Sequence, residues 1–176
     1  VLGVDRDIQA IERGQALIEE FSGRLKVVKE RFSQVGNLVS GQQFDGVLAD
    51  LGMSTDQLKG RRGFSFMDET ELDMRMDTES PLTAAGVLNH YAVADLYRVM
   101  RDGGVGPRVI RPLVEGIVRG RPYQNTGDLV DVVTKVIWRD KEQRSHPATV
   151  VFQSLRMEVN QELEELRGLL AVLPSL

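Results

Sequence analysis

The stretch Phe44-Asp-Gly-Val-Leu-Ala-Asp-Leu-Gly-Met-Ser-Thr-Asp-Gln-Leu58 does most to limit what this chain can fold into. Its apolar run, Val47 to Ala49, is short and ends in the carboxylate of Asp50 and then in Gly52. That is the pattern of a buried parallel strand delivering a functional group to the open edge of an α/β sheet. Val1-Leu-Gly-Val4, ended by Asp5, and Leu25-Lys-Val-Val28 are two further strand candidates. Between them, Ile8, Ile11, Leu17, Ile18 and Phe21 recur at helical spacing, with Asp7 placed to cap the helix. Residues 34–41 suit a short helix or turn. Strand, helix, strand, helix, strand is a βαβ rhythm and predicts a parallel, doubly wound sheet. In such a sheet the carboxylates of Asp5 and Asp50 leave adjacent strands side by side and look into one crevice.

Beyond residue 77 the pattern turns helical. Apolar spacing predicts helices over 80–89, 94–100, 109–118 and 126–137, and one long helix over 150–173. Ser80-Pro81 suits a first turn, and either Thr126 or Asp128 can cap the fourth helix. The long helix carries Val151, Phe152, Leu155, Val159, Leu163, Leu166, Leu169, Leu170 and Leu173 on its apolar side. Its charges Glu162, Glu164 and Glu165 read as a solvated face.

With 41% hydrophobic and 27% charged residues, the chain has the profile of a soluble globular protein that can bury a core. The net charge of −4 shows no global basic surface, so any nucleic acid must use a local patch. There is no cysteine, which excludes disulfides, thiolate metal sites and a cysteine nucleophile. No apolar run reaches the ~20 residues needed to span a bilayer, and the expected location is cytoplasmic. His90 and His146 are the only histidines and have no second ligand at metal spacing, so no metal is expected.

Several residues are candidates for chemistry. Asp5 after a strand can accept hydrogen bonds from both hydroxyls of a nucleoside ribose, or it can belong to a solvated turn, Asp5-Arg6-Asp7. Phe32, just past the next strand, can pack against adenine; on the residues alone a core phenylalanine is the better reading. Phe64 and Phe66 can stack on an extruded base or pack under a loop. Met74 and Met76 suit core filling. Arg61, Arg62, Arg75, Arg108, Arg111, Arg119 and Arg121 can supply phosphate contacts, although for each singly a solvated arginine is the simpler reading. Arg156 and Asn160, one turn apart, can face a cleft, and His146 can support the start of the long helix.

The strings DLGMSTDQL, RGFSFM, LDMRMD and HPATVVFQSLRMEVNQELEEL stand in this order along the chain. Together they closely resemble the bacterial-type family of small-subunit ribosomal RNA (cytosine-N4) methyltransferases. The resemblance implies S-adenosylmethionine as cofactor, small-subunit ribosomal RNA or a ribosomal particle as substrate, and monomer or homodimer as the assembly. It assigns cofactor binding to Asp5 (ribose), Phe32 (adenine), Asp50 and Gln57. Asp50 is also the candidate acceptor that orients the target amine, and Phe64, Phe66, Arg75 and Arg156 are substrate-binding candidates. The implied fold is a partial Rossmann-like class I methyltransferase sheet with an inserted all-helical domain. Its expected parts are a cofactor-binding α/β region over 1–77, an RNA-recognising helical region over 78–160, and the end of a helix leading back to the sheet over 161–176. The glycine-rich cofactor loop and the last strands are expected outside this stretch, which predicts weak or absent activity for it alone.

Two departures stand out. Related amino-methylating enzymes follow the acceptor with Pro-Pro and an aromatic, whereas this chain has Asp-Leu-Gly-Met-Ser. Members of the family usually carry a Tyr-Gly-Glu-Glu-like stretch before a basic helix; Arg101-Asp-Gly-Gly-Val-Gly-Pro-Arg108 keeps glycine and arginine but loses the acids. Two other functions fit parts of the pattern. A nicotinamide-dependent oxidoreductase shares an acid after a strand, but no tyrosine-lysine or histidine arrangement for hydride transfer accompanies it. A non-catalytic RNA- or protein-interaction module is the third reading.

Overall fold

The computed structural model describes residues 1–39, 41–137 and 146–176. In chain order these form β1 (Leu2–Asp5), α1 (Ile8–Glu20), β2 (Lys26–Lys29), a 3-10 turn (Phe32–Gln34) and α2 (Val35–Leu38). Next come α3 (Thr55–Lys59), α4 (Ala84–His90), α5 (Val93–Asp102) and α6 (Pro107–Arg119). Last are α7 (Thr126–Val136), α8 (Ala148–Val159), α9 (Glu162–Val172) and a closing 3-10 turn (Leu173–Ser175). The described residues divide into two compact units. One comprises Val1–Gly52, Met76–Glu79 and Gln161–Leu176; the other, Met53–Arg75 and Ser80–Asn160.

In the first unit β1 and β2 run parallel, with Leu2 opposite Lys26 and Asp5 opposite Lys29. α1 makes the crossover. Asp7 caps it by accepting from the Gln9 amide at 3.1 Å, as its sequence position predicts. Gly14 lets the helix lie close on the strand, since a Cβ there would come within 3.2 Å of both Val27 methyls. α9 packs on the first 3-10 turn through Gly168, where a side chain would overlap Ser33.

The expected strand at Val47–Ala49 does not form; β1 and β2 are the whole of the sheet among the described residues. Val47 is 51% and Leu48 96% exposed. A parallel strand exists only by pairing, and here neither β1 nor β2 offers the run a backbone ladder. Of the short helix or turn expected over residues 34–41, the structure forms a single helical turn, α2, over Val35–Leu38, with residue 40 outside the described set.

The second unit is helical. Leu96, Met100, Leu113, Ile117, Leu129, Val133 and Leu155 from α5 to α8 are all fully buried. α5 and α8 meet closely at Gly103 and Ser154, where any side chain on the glycine would overlap the serine. Residues 53–75, grouped by sequence with the α/β part, belong to this unit instead. α4 starts at Ala84 rather than at Ser80-Pro81: Thr83 caps it, and the Ala84 and Ala85 amides donate to the carbonyls of Asp73 and Leu72. Tertiary bonds to the preceding loop therefore set its first turn. α7 is capped by Asn125, with Asp128 completing a capping box, so neither Thr126 nor Asp128 is the cap residue itself.

The single long helix expected over 150–173 is two helices. α8 stops at Val159, and Gln161 takes a left-handed conformation with φ 52° before α9 begins. The apolar period continues across the break, which is why periodicity alone misses it. Asn160 supplies the cause: its amide donates to Arg156 O at 2.9 Å and to Met74 O at 2.7 Å, competing with continued helix.

Candidate functional site

In the first unit the candidate residues leave the C-terminal end of the two strands. Asp5 ends β1, and its Oδ1 accepts from the Asp7 amide at 2.8 Å, which fixes the rotamer at the entrance to α1. No donor reaches its other oxygen among the described residues. The strand pairing runs one step further, with the Glu30 amide donating to Asp5 O at 3.0 Å. Phe32 opens the turn after β2 and is half-buried. Asp50 is exposed and lies in no regular element. The sequence placed it on a strand adjacent to that of Asp5, and that expectation is not realised, because the strand itself is missing.

Around this edge stands an ionic cluster that sequence reasoning missed. Burial and the neighbouring Arg31 hold Arg6 below its usual value, against the charges of Glu165, Asp77 and Glu162. Glu165, read from the sequence as solvated, is buried: its Oε2 accepts from the Ser33 amide at 3.1 Å and its Oε1 lies 3.8 Å from Arg31. The available signal was helical spacing, since Glu165 sits one turn before the buried Leu169 and beside the close-packed Gly168. Lys29 bridges Asp77 at 3.2 Å and Glu79 at 2.7 Å. Burial pushes the Asp77 carboxyl up, but the Glu79 amide and the Lys29 ammonium outweigh it and hold it below the ordinary range.

In the second unit most candidate side chains are tied into the protein. Gln57 is buried, and its Oε1 accepts from the Ser54 amide at 2.9 Å, closing the capping box of α3. Phe64 is 5% exposed, with the Arg62 guanidinium 5.6 Å from its ring centre. Phe66 stacks on His146 at 5.0 Å and meets Phe152 edge-on at 5.3 Å. His146 also accepts from the Ala148 amide, supporting the start of α8 as expected. Arg75 forks onto Asp73 at 2.8 and 2.9 Å and donates to Ser80 O. Burial raises the Asp73 carboxyl, yet the bonds and charge from Arg75 prevail and lower it overall. Met74 is fully buried and Met76 nearly so, in keeping with core filling.

Arg156 is half-buried on α8. Asn160, expected in a cleft beside it, is 1% exposed and holds the loop carbonyl of Met74 instead. Arg121 donates to Leu88 O and Tyr91 O, closing the end of α4. His90 lies within 3.2 Å of Gly86 O at the end of the same helix. Among the described residues no group of three or more potential ligands is placed to hold a metal, and no helix is long and apolar enough to cross a membrane.

The chain matches the model of the MraW methylase family over residues 1–176. A ribosomal RNA small subunit methyltransferase H of Parvibaculum lavamentivorans is 45% identical over 177 residues, covering 96% of this chain and 52% of the relative. Its namesake in Petrotoga mobilis is 36% identical, covering 99% and 63%. The Brucella canis protein of that name is 40% identical, covering 97% and 52%. The chain thus spans little more than half the length of these curated relatives.

Proposed function

The chain belongs to the MraW methylase family, and we propose that it takes part in S-adenosylmethionine-dependent methylation of the N4 amino group of a cytidine in small-subunit ribosomal RNA. The observation that carries this reading is Asp5, a carboxylate held in one rotamer at the end of a parallel strand, in a chain whose relatives are named ribosomal RNA methyltransferases. An acid in that position suits a ribose diol: the two hydroxyls donate and the carboxylate accepts. The second oxygen of Asp5, left without a protein donor among the described residues, fits that role. Phe32 offers an aromatic edge or face for the adenine.

When bound, S-adenosylmethionine supplies a methyl group on a sulfonium, which needs only a well-aimed nucleophile. The difficulty lies with cytosine, whose N4 lone pair is delocalised into the ring. Asp50 is the proposed acceptor for an N4 proton: accepting that hydrogen bond holds the amine in line and eases loss of the proton as the new bond forms. Gln57 is proposed to contribute to cofactor binding while its Oε1 caps α3. The helical stretch within residues 80–160 is proposed as the part that recognises RNA, inserted between segments of the α/β unit.

Titration calorimetry tests the cofactor step. The chain is expected to bind S-adenosylmethionine and not NAD, and Asp5→Asn to weaken binding about tenfold or more, the cost of one charge-assisted hydrogen bond. Binding of NAD alone, or an unchanged affinity in the variant, would overturn the reading. The methylation step is tested by transfer of labelled methyl to small-subunit particles, with the product nucleoside identified as N4-methylcytidine.

A further inference from the structure

We propose that the outer face of α6 is a track for the phosphate backbone of the RNA substrate; this rests on the RNA reading above. The face is legible in the helix itself. Ile110, Leu113, Val114, Gly116 and Ile117 are buried, and Arg108, Arg111, Glu115 and Arg119 are exposed. At ~100° per residue the four exposed positions fall within an arc of about 80°, and Arg108 and Arg119 lie about 16 Å apart along the axis. Three guanidinium groups and one carboxylate give this stripe an excess of two positive charges on a chain whose net charge is −4.

These arginines differ from Arg75, Arg98 and Arg121 of the same unit in what they touch. Arg75, Arg98 and Arg121 are committed to protein groups: Asp73 and Ser80, Glu158, and the end of α4. Arg108 and Arg119 have no hydrogen-bond or ion-pair partner among the described residues. Arg111 has only Glu115, at 3.1 Å on the open surface, an i,i+4 pair that solvent screens to little net strength. Such a pair yields readily to phosphate, which accepts from a guanidinium in the same forked geometry. Arg101, at the end of α5 just before the turn that leads into Arg108, is paired with Asp102 at 2.9 Å and adds no net charge to the stripe. A glycine turn ending in Pro107 at the first helical position fixes where the stripe begins.

The test uses the chain with and without Arg108→Gln, Arg111→Gln and Arg119→Gln together, and Arg167→Gln as a control for loss of charge elsewhere. Binding to a labelled small-subunit RNA fragment is followed by fluorescence anisotropy across salt concentrations. The triple variant is expected to bind at least tenfold more weakly at low salt. Its log K against log salt slope should be shallower by about 2, at roughly 0.7 per single-strand phosphate contact. Arg167→Gln should leave both unchanged. An unmoved slope in the triple variant, an equal loss in the control, or no RNA binding by the intact chain would each overturn the proposal. A helical circular dichroism spectrum and melting point matching the parent keep a loss from being read as misfolding; a variant that fails this check is replaced by the single changes, each expected to remove about one third of the slope. S-adenosylmethionine calorimetry on the same variants should be unaffected, so failure of the α6 track and failure of the methyltransferase reading give different results.

Discussion

Arg75 and Asp73 show how much of this molecule depends on single polar pairs. The guanidinium satisfies both carboxylate oxygens and a loop carbonyl, and the pair sits 24% and 20% exposed. Replacing Arg75 with Met leaves the carboxylate half-desolvated without its partner, and a loss of about 1–3 kcal/mol is expected in urea unfolding. The lowered Asp73 carboxyl also sets a direction with pH. The folded state holds the proton more weakly than the unfolded chain does. Its stabilisation is therefore present above the ordinary aspartate value of about 4 and is lost as pH falls through the lower folded value. In the Arg75→Met variant the acid limb of the stability curve should flatten. Gly63 is a second sensitive position: its φ is 76° and a Cβ would overlap Glu71 O. Gly63→Ala is expected to cost more than about 2 kcal/mol, measured the same way.

At the scale of elements, the α8–α9 break is the most informative. Gln161 occupies a conformation that glycine adopts without steric cost, so Gln161→Gly should stabilise by up to about 1 kcal/mol, whereas Asn160→Ala should destabilise by about 1–3 kcal/mol by stripping a donor from the buried Met74 carbonyl. Thermal denaturation of both variants checks the opposite signs. The same junction shows which parts of the fold could be read beforehand. α1, α5, α6 and α7 have one apolar face, and their period located them to within a few residues. The junction is set by Asn160 and a carbonyl 86 residues away, which no local window contains. The Val47 run fails for the complementary reason: its composition is that of a strand, but pairing is a property of neighbours. Of the candidate site, Asp5 stands where its spacing from the apolar run put it. Glu165 was hidden because an acid in an acidic run looks solvated until its face is known.

For the molecule as a whole, alkaline pH is a clear test of the packing. Burial pushes Tyr123 up to about 12, and burial together with the Glu158 carboxylate does the same to Tyr91. A phenol whose folded value is raised favours the protonated native state. The associated stability is complete below the unfolded value near 10 and drains away as pH climbs from there towards about 12. Urea midpoints should fall across that window, and Tyr123→Phe should blunt the fall, at the cost of the 2.9 Å bond from its hydroxyl to Ile117 O.

Gln57 carries a practical lesson. Because its side chain holds the Ser54 amide, the residue is part of the lock on α3 as well as a candidate for the cofactor. An assay on a Gln57 variant would mix two losses, unwinding of a short helix and removal of a ligand contact. Ser54→Ala, which loosens the same lock from its other half, supplies the correction by which the two can be told apart.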